Sequence, residues 1–315
     1  MVLVDAGDAL AQVWPSAIEK KDSEAARKRA DFLLSQMAAM GYAAVAVGER
    51  ELVFPYPELA KKAAAAKLPL LAANLVDPAD KKPFPGRTMA KVAGRKVGFF
   101  AVVDGGEYER HKLRCLSALG AAQVEADALR KEGAEIVVGL LHMNYDAALR
   151  VAGSLKGVDY TIQAHDGRPV LVQQVGSTVL AGAGQRGQVV GRAVFDFQGS
   201  GPFEKIEDPG QARFSLIEQE SALKNLKERQ KAATSPDEQA SLGVAIVAAQ
   251  KRYNQSKFQA QGKQHGKRAV LTDKVTLDAN IADDPKTKAA QDAAQPAPAP
   301  VPPAASPQPR PETSK

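Results

Sequence analysis

Four places in this 315-residue sequence set ionisable side chains directly after a short apolar run. Asp8 follows VLVDAG, Glu49, Arg50 and Glu51 follow VAVG, His142 follows IVVGLL, and His165 and Asp166 follow YTIQA. Carboxylates and imidazoles are the ligands that borderline divalent cations accept, so Asp8, Glu49, His142 and His165 brought together would hold one Zn, Mn or Fe ion. Taken singly, each has a plainer reading: Asp8 as a helix cap, Glu49 and Arg50 as a loop ion pair, the histidines as hydrogen-bonded core side chains. The other two histidines, His111 and His265, lie in polar stretches and receive no role.

The elements that must position these residues are legible in the first 200 positions. Apolar runs at 1–4, 43–47, 68–73, 96–103, 135–141 and 159–163 alternate with amphipathic stretches of helical period at 23–40, 56–66, 117–131 and 146–155. Strand, helix, strand, helix predicts an α/β domain with a largely parallel sheet, and runs without polar alternation predict strands covered on both faces. In such sheets loops and helix N-termini converge at the carboxyl ends of the strands, which is where the four ligand candidates fall.

From Leu171 the pattern changes to VLVQQVGS, TVLAGAG and VVGRAVFDF, read as hairpin strands that finish the sheet, and GSGP at 199–202 predicts the end of the domain. A helical hairpin is expected within 203–262, its second arm opened by Ser235, Pro236, Asp237 and Glu238 as N-cap, N1 proline and capping-box glutamate. A linker is expected at 263–290 and a disordered Pro/Ala-rich tail at 291–315, because 8 of the 20 prolines lie between Pro296 and Pro311 and nothing there can form a core. The net charge of +6 permits polyanion binding without requiring it, and the basic residues from Lys251 to Arg268 read as a solvated helix end, so nucleic acid is not expected as a partner. A single cysteine, Cys115, excludes an internal disulfide and a Cys-rich zinc site, and is read as a small buried apolar side chain. No apolar run is long enough to span a bilayer, and no export signal follows Met1.

The ordered blocks VDAGD, GYAAVAVGERE, LPLLAANLVD, GRKVGFFAVV, LRKEGAEIVVGLLHMNYD, VDYTIQAHDGRP and VQQVGSTVLAGAGQRGQVVGRAVFDF resemble the N-terminal, calcineurin-like metallophosphoesterase domain of the bacterial 5'-nucleotidase family over about residues 1–198. The resemblance implies a four-layer α/β/β/α sandwich, carried here on residues 1–202, and a site where two divalent ions bind a phosphate ester and activate the attacking water. It assigns the aspartate of the family's G-D motif to Asp8, a strand-end histidine to His142 and the first histidine of G-H-x-H to His165. Asn74, in AANLVD, matches a strand-end asparagine and is read as structural.

The sequence departs from that pattern where the second ion would bind. The family's G-N-H-E is Gly48, Glu49, Arg50, Glu51, and its G-H-x-H is Ala164, His165, Asp166, Gly167; the D-x-H segment has no counterpart. The resemblance therefore implies one retained cation position, held by Asp8, Glu49, His142 and His165. Arg50 stands in the place of the acid histidine; it cannot donate a proton at ordinary pH, but it can contact a phosphate or pair with Glu49. The expected function is that of a divergent phosphoesterase acting weakly or not at all on phosphate esters or nucleotides. The alternative is a non-catalytic scaffold in a bacterial envelope assembly, with a protein partner docking on the 211–262 hairpin. No counterpart of a base-binding domain is seen. Because the first family strand has no match, Met1 reads as an internal start, and a periplasmic or envelope location is expected if the true start lies upstream.

Overall fold

The computed structural model describes residues 1–167, 171–182, 184, 187–206, 209–260, 267–277 and 282–294. β1 (Leu3–Asp5) leads through α1 (Ser23–Ala39) to β2 (Tyr42–Ala46), then through α2 (Tyr56–Ala66) to β3 (Leu70–Leu71), giving a parallel sheet in the order β1-β2-β3. β4 (Leu75–Val76) precedes the hairpin of β5 (Arg87–Val92) and β6 (Arg95–Val103). The one-turn α3 (Glu107–Arg110), β7 (Arg114–Cys115), which pairs with β4, and α4 (Ala118–Lys131) follow. β8 (Ile136–His142), α5 (Tyr145–Ser154), β9 (Tyr160–Ala164), β10 (Gln173–Val175) and β11 (Thr178–Ala181) complete a six-stranded sheet ordered β10-β11-β9-β8-β6-β5. Its four inner strands run parallel and its edge strands antiparallel.

The alternation of side chains along β6 shows how the layers stack. Phe99 and Ala101 pack with Ala44, Ala46 and Leu71 of the smaller sheet, while Phe100 and Val102 pack with Ala122, Ala126, Leu129 and Val151 of α4 and α5. On the outer face of the smaller sheet, Ala30, Leu34, Met37, Leu59 and Ala63 of α1 and α2 cover Val45 and Leu70. The result is the α/β/β/α sandwich expected from the sequence. Close packing depends on missing side chains: a Cβ on Gly98 would stand 2.7 Å from Leu129, and one on Gly139 would stand 2.6 Å from the Phe100 ring.

Asn74 ties three segments together between the sheets. Fully buried, it donates to the carbonyls of Val103 (2.7 Å) and Leu116 (3.0 Å) and accepts from the Val103 amide (2.9 Å). Asn74→Ala is expected to cost about 2–4 kcal/mol in urea unfolding, since it orphans buried backbone groups. Cation binding should persist, because no bond of this side chain reaches the ligand cluster.

Two expectations are corrected beyond residue 188. β12 (Val189–Asp196) does not finish the six-stranded sheet, and β13 (Ser200–Ile206) runs straight through the boundary expected at 202. After β13 come the hairpin helices α6 (Pro209–Ala232) and α7 (Pro236–Ala260). β14 (Lys267–Thr276) then lies inside the expected 263–290 linker and forms the centre of a separate sheet, β12-β14-β13. The physical reason is one-sided burial. Phe195, Phe203 and Val270 pack against the core between the two large sheets, while Val190 and Val194 of the mixed sheet's β12 face solvent. The chain therefore stays in one compact unit through residue 281, with the helical hairpin as an excursion between β13 and β14. In the second unit, α8 (Pro285–Ala294) is capped by Asp284, whose carboxylate accepts from the Thr287 amide at 2.7 Å. The remainder of the expected disordered tail, 295–315, lies outside the described residues. No helix among the described residues is long and apolar enough to cross a membrane.

Candidate metal centre

The carboxyl ends of β1, β2, β8 and β9 supply one residue each to a single cluster. Asp8, Glu49, His142 and His165 each offer a ligand atom, and these atoms all lie within 4.8 Å of one another. Asp5, ending β1, accepts from the Gly7 amide at 2.8 Å and starts the turn that presents Asp8, which has φ +71°. Glu49 opens a short 3-10 turn after Gly48, His142 is the last residue of β8, and His165 follows β9 with φ +123°. A non-glycine residue in that last conformation costs on the order of 1–3 kcal/mol and persists only where its surroundings fix it.

Glycines make room for the cluster. A Cβ on Gly7 would lie 2.6 Å from His142 Nδ1, on Gly48 2.6 Å from Asp8 Oδ1, and on Gly105 2.5 Å from Glu49 Oε1. Below the turn, the fully buried Glu51 accepts from the amides of Asp8 (2.7 Å), Ala9 (2.7 Å) and Leu10 (3.2 Å). Tyr108, also fully buried, donates its hydroxyl to Val47 O at 2.9 Å and pins the end of β2.

Glu49 and His142 are 1% and 0% exposed and bond to each other, Oε2 to Nε2, at 2.7 Å. The other His142 nitrogen, Nδ1, faces Ala6 O at 2.8 Å. A carbonyl only accepts, so Nδ1 carries a proton and Nε2 is the atom available to a cation. His165 Nδ1 lies 3.3 Å from the same Glu49 oxygen, and Asp8 Oδ1 lies 3.5 Å from His142 Nε2. Burial alone would raise Glu49, but hydrogen bonds from His142 and His165 outweigh it and hold the carboxyl low, at about 2. For His142 burial opposes the charge, yet the Glu49 hydrogen bond and then the Asp8 charge push the imidazole up to about 9. Burial pushes Glu51 up to about 7, with the Asp8 charge adding to the shift. Ligation at His142 requires the Nε2 proton to leave, because metal ligands bind deprotonated.

Two carboxylates and two imidazoles in a glycine-walled cradle fit one borderline divalent cation by donor chemistry, and the outer hydrogen bond on His142 is of the kind that orients metal ligands.

The fold of this chain recurs in solved structures. Sulfate thiohydrolase SoxB from Thermus thermophilus, solved with glycerol, aligns with a TM-score of 0.50 at 18% identity over 61% of this chain. The calcineurin-like phosphoesterase YfkN from Bacillus subtilis aligns at 0.49 and 19% over 61%, and a 5'-nucleotidase precursor from Thermus thermophilus at 0.43 and 19% over 61%. This chain spans 35% of the SoxB chain, 70% of the YfkN chain and 41% of the nucleotidase chain. No protein-family model matches the sequence, and comparison with curated proteins gives no match.

The four residues read from the strand ends are thus brought together, but Arg50 is not where one reading placed it. It does not pair with Glu49; its Nε lies 3.4 Å from Asp8 Oδ2 and its amide donates to Asp8 Oδ1 at 3.0 Å. The reason is that both histidines already face the inward Glu49 oxygen, whereas the outer Asp8 oxygen faces the Arg50 side chain. Asp166 stays out of the cluster, accepting from the Tyr145 amide at the start of α5 (3.0 Å) and from Gln163 Nε2 (3.1 Å). Glu51 is the participant whose role sequence reasoning missed. Its signal was the apolar run Leu52, Val53, Phe54 directly after it, which carries the carboxylate inward.

Proposed function

We propose that this chain is a phosphoesterase-type domain that binds one divalent cation through Asp8, Glu49, His142 and His165 and hydrolyses phosphate esters, nucleotides among them, only weakly. The convergence of four ligand atoms within 4.8 Å carries the cation assignment. When bound, such a cation supplies Lewis-acid polarisation of a phosphoryl oxygen and acidifies a bound water. The chain's own residues set the rest. Arg50, held beside Asp8 with its Nε buried and without a hydrogen-bond partner among the described residues, offers a permanent positive fork to a phosphate oxygen. That same guanidinium cannot protonate a leaving alkoxide, and Gly167 offers no side chain for a second ion, so binding outlasts catalysis.

Metal analysis of the stripped and reloaded protein, with hydrolysis of p-nitrophenyl phosphate in Mn or Zn, tests this reading. The expected result is one equivalent of cation per chain, lost in His165→Ala, and turnover at least about a hundredfold below the ~10 s⁻¹ typical of enzymes. Two equivalents with ordinary turnover would overturn the weak-hydrolysis part. No bound cation and no turnover would overturn the whole and leave the scaffold reading in its place.

A further inference from the structure

The hairpin helix α7 carries two stripes, and only one of them is used within the chain. Leu242 and Ala249 are buried toward α6, where Leu223 is buried in turn. The second stripe, Ala240, Val244, Val247 and Lys251, follows the spacing 4, 3, 4 of a coiled-coil seam, yet Val244 is 73% and Val247 71% exposed. With Gly243 and Ala248 these residues line one shallow groove. A solvent-facing helix surface normally carries charge, but none of the twelve residues from 239 to 250 is charged.

The charges at the two ends identify the occupant. Asp237 and Glu238 precede the uncharged stretch, and Lys251 and Arg252 follow it; all four are exposed. We infer that α7 pairs antiparallel with α7 of a second copy of this chain, about a two-fold axis between Val244 and Val247. In that arrangement Val244 of each copy meets Val247 of the other, and Ala240 meets the aliphatic stem of Lys251. At about 1.5 Å rise per residue, Asp237, the seam position seven residues before Val244, then lies about 4.5 Å along the axis from the other copy's Lys251, at both ends. Parallel pairing would set acid against acid and base against base. A lipid surface is disfavoured as occupant by the acidic end, which anionic headgroups repel. The small side chains of Ala240 and Ala248 let the helices approach closely, and a two-fold contact closes on itself as a dimer.

The test is the sedimentation of the full-length chain from low to high micromolar concentration. A concentration-dependent dimer is expected, weakened at least about tenfold by Val244→Asp, a substitution at the seam's centre. Reversing the acidic end with Asp237→Lys and Glu238→Lys should weaken it similarly, and adding Lys251→Glu and Arg252→Glu should restore it. Circular dichroism on each variant confirms that α7 stays helical, since every changed side chain is solvent-facing. A chain that stays monomeric overturns the inference. So does an oligomer that ignores Val244→Asp, or a charge reversal that the second reversal fails to rescue. A monomer that sediments with phosphatidylserine vesicles overturns it and assigns the stripe to lipid.

Discussion

Glu51→Ala is expected to lower the stability of the unit spanning residues 1–281 by about 3 kcal/mol, because three amide donors, one buried and two part-buried, each lose an acceptor. For a domain of this size that corresponds to a fall in melting temperature of about 6–12 °C. The loss is local in origin: the three amides belong to Asp8, Ala9 and Leu10, the turn that aims Asp8 at the cluster. The variant should therefore also bind Zn or Mn at least about tenfold more weakly, as removal of outer support around metal ligands does. Glu51→Gln keeps one acceptor oxygen but turns an amide group toward the same N–H donors, so it should fall between alanine and wild type. Thermal melts and calorimetric titration read the two effects separately. A Glu51→Ala protein within about 1 kcal/mol of wild type would show that the turn holds itself through its backbone and left-handed residues alone.

The parallel core was readable because β6 and β8 are mostly apolar runs without alternation and β9, YTIQA, is short and rich in strand-forming residues although Thr161 and Gln163 alternate with apolar neighbours. 135–141 became β8 and 159–163 became β9, each within one residue, and the periodic stretch at 56–66 became α2 without change. The strands outside that core were not. KRAVLTDKVT mixes charge with apolar residues because, among its described side chains, only Ala269 and Val270 of β14 are fully buried, and it pairs with β12, whose last residue lies 71 positions before its first. Nothing local announces a partner beyond an intervening helical hairpin. The ligand set was readable from strand ends, since topology alone brings those ends together. Which carboxylate faces which cation was not, because it turns on side-chain direction: Glu49 inward to the histidines, Arg50 outward to Asp8.

That inward pair gives the sharpest separation between a buried ion pair that only stabilises and one that is a cation site. Glu49→Gln keeps the side chain's shape and one oxygen for His142 while removing the charge. In EDTA it should cost about 1.5–3 kcal/mol in urea unfolding, the worth of a hydrogen bond to a charged group, and Glu49→Ala about 3–5 kcal/mol, the cost of breaking a buried pair. Adding cation should then widen the gap. A site bound at a hundred times its Kd adds about 2.7 kcal/mol to the wild type. The neutral amide is a poor substitute for a carboxylate ligand, so Glu49→Gln should gain little. A pair with a purely structural role would give the same difference with and without the ion, because the cation would act on neither protein. Unfolding midpoints that shift in parallel, or a wild type indifferent to Zn and Mn, would therefore defeat the one-cation reading while leaving the fold, and the Glu51 result, untouched.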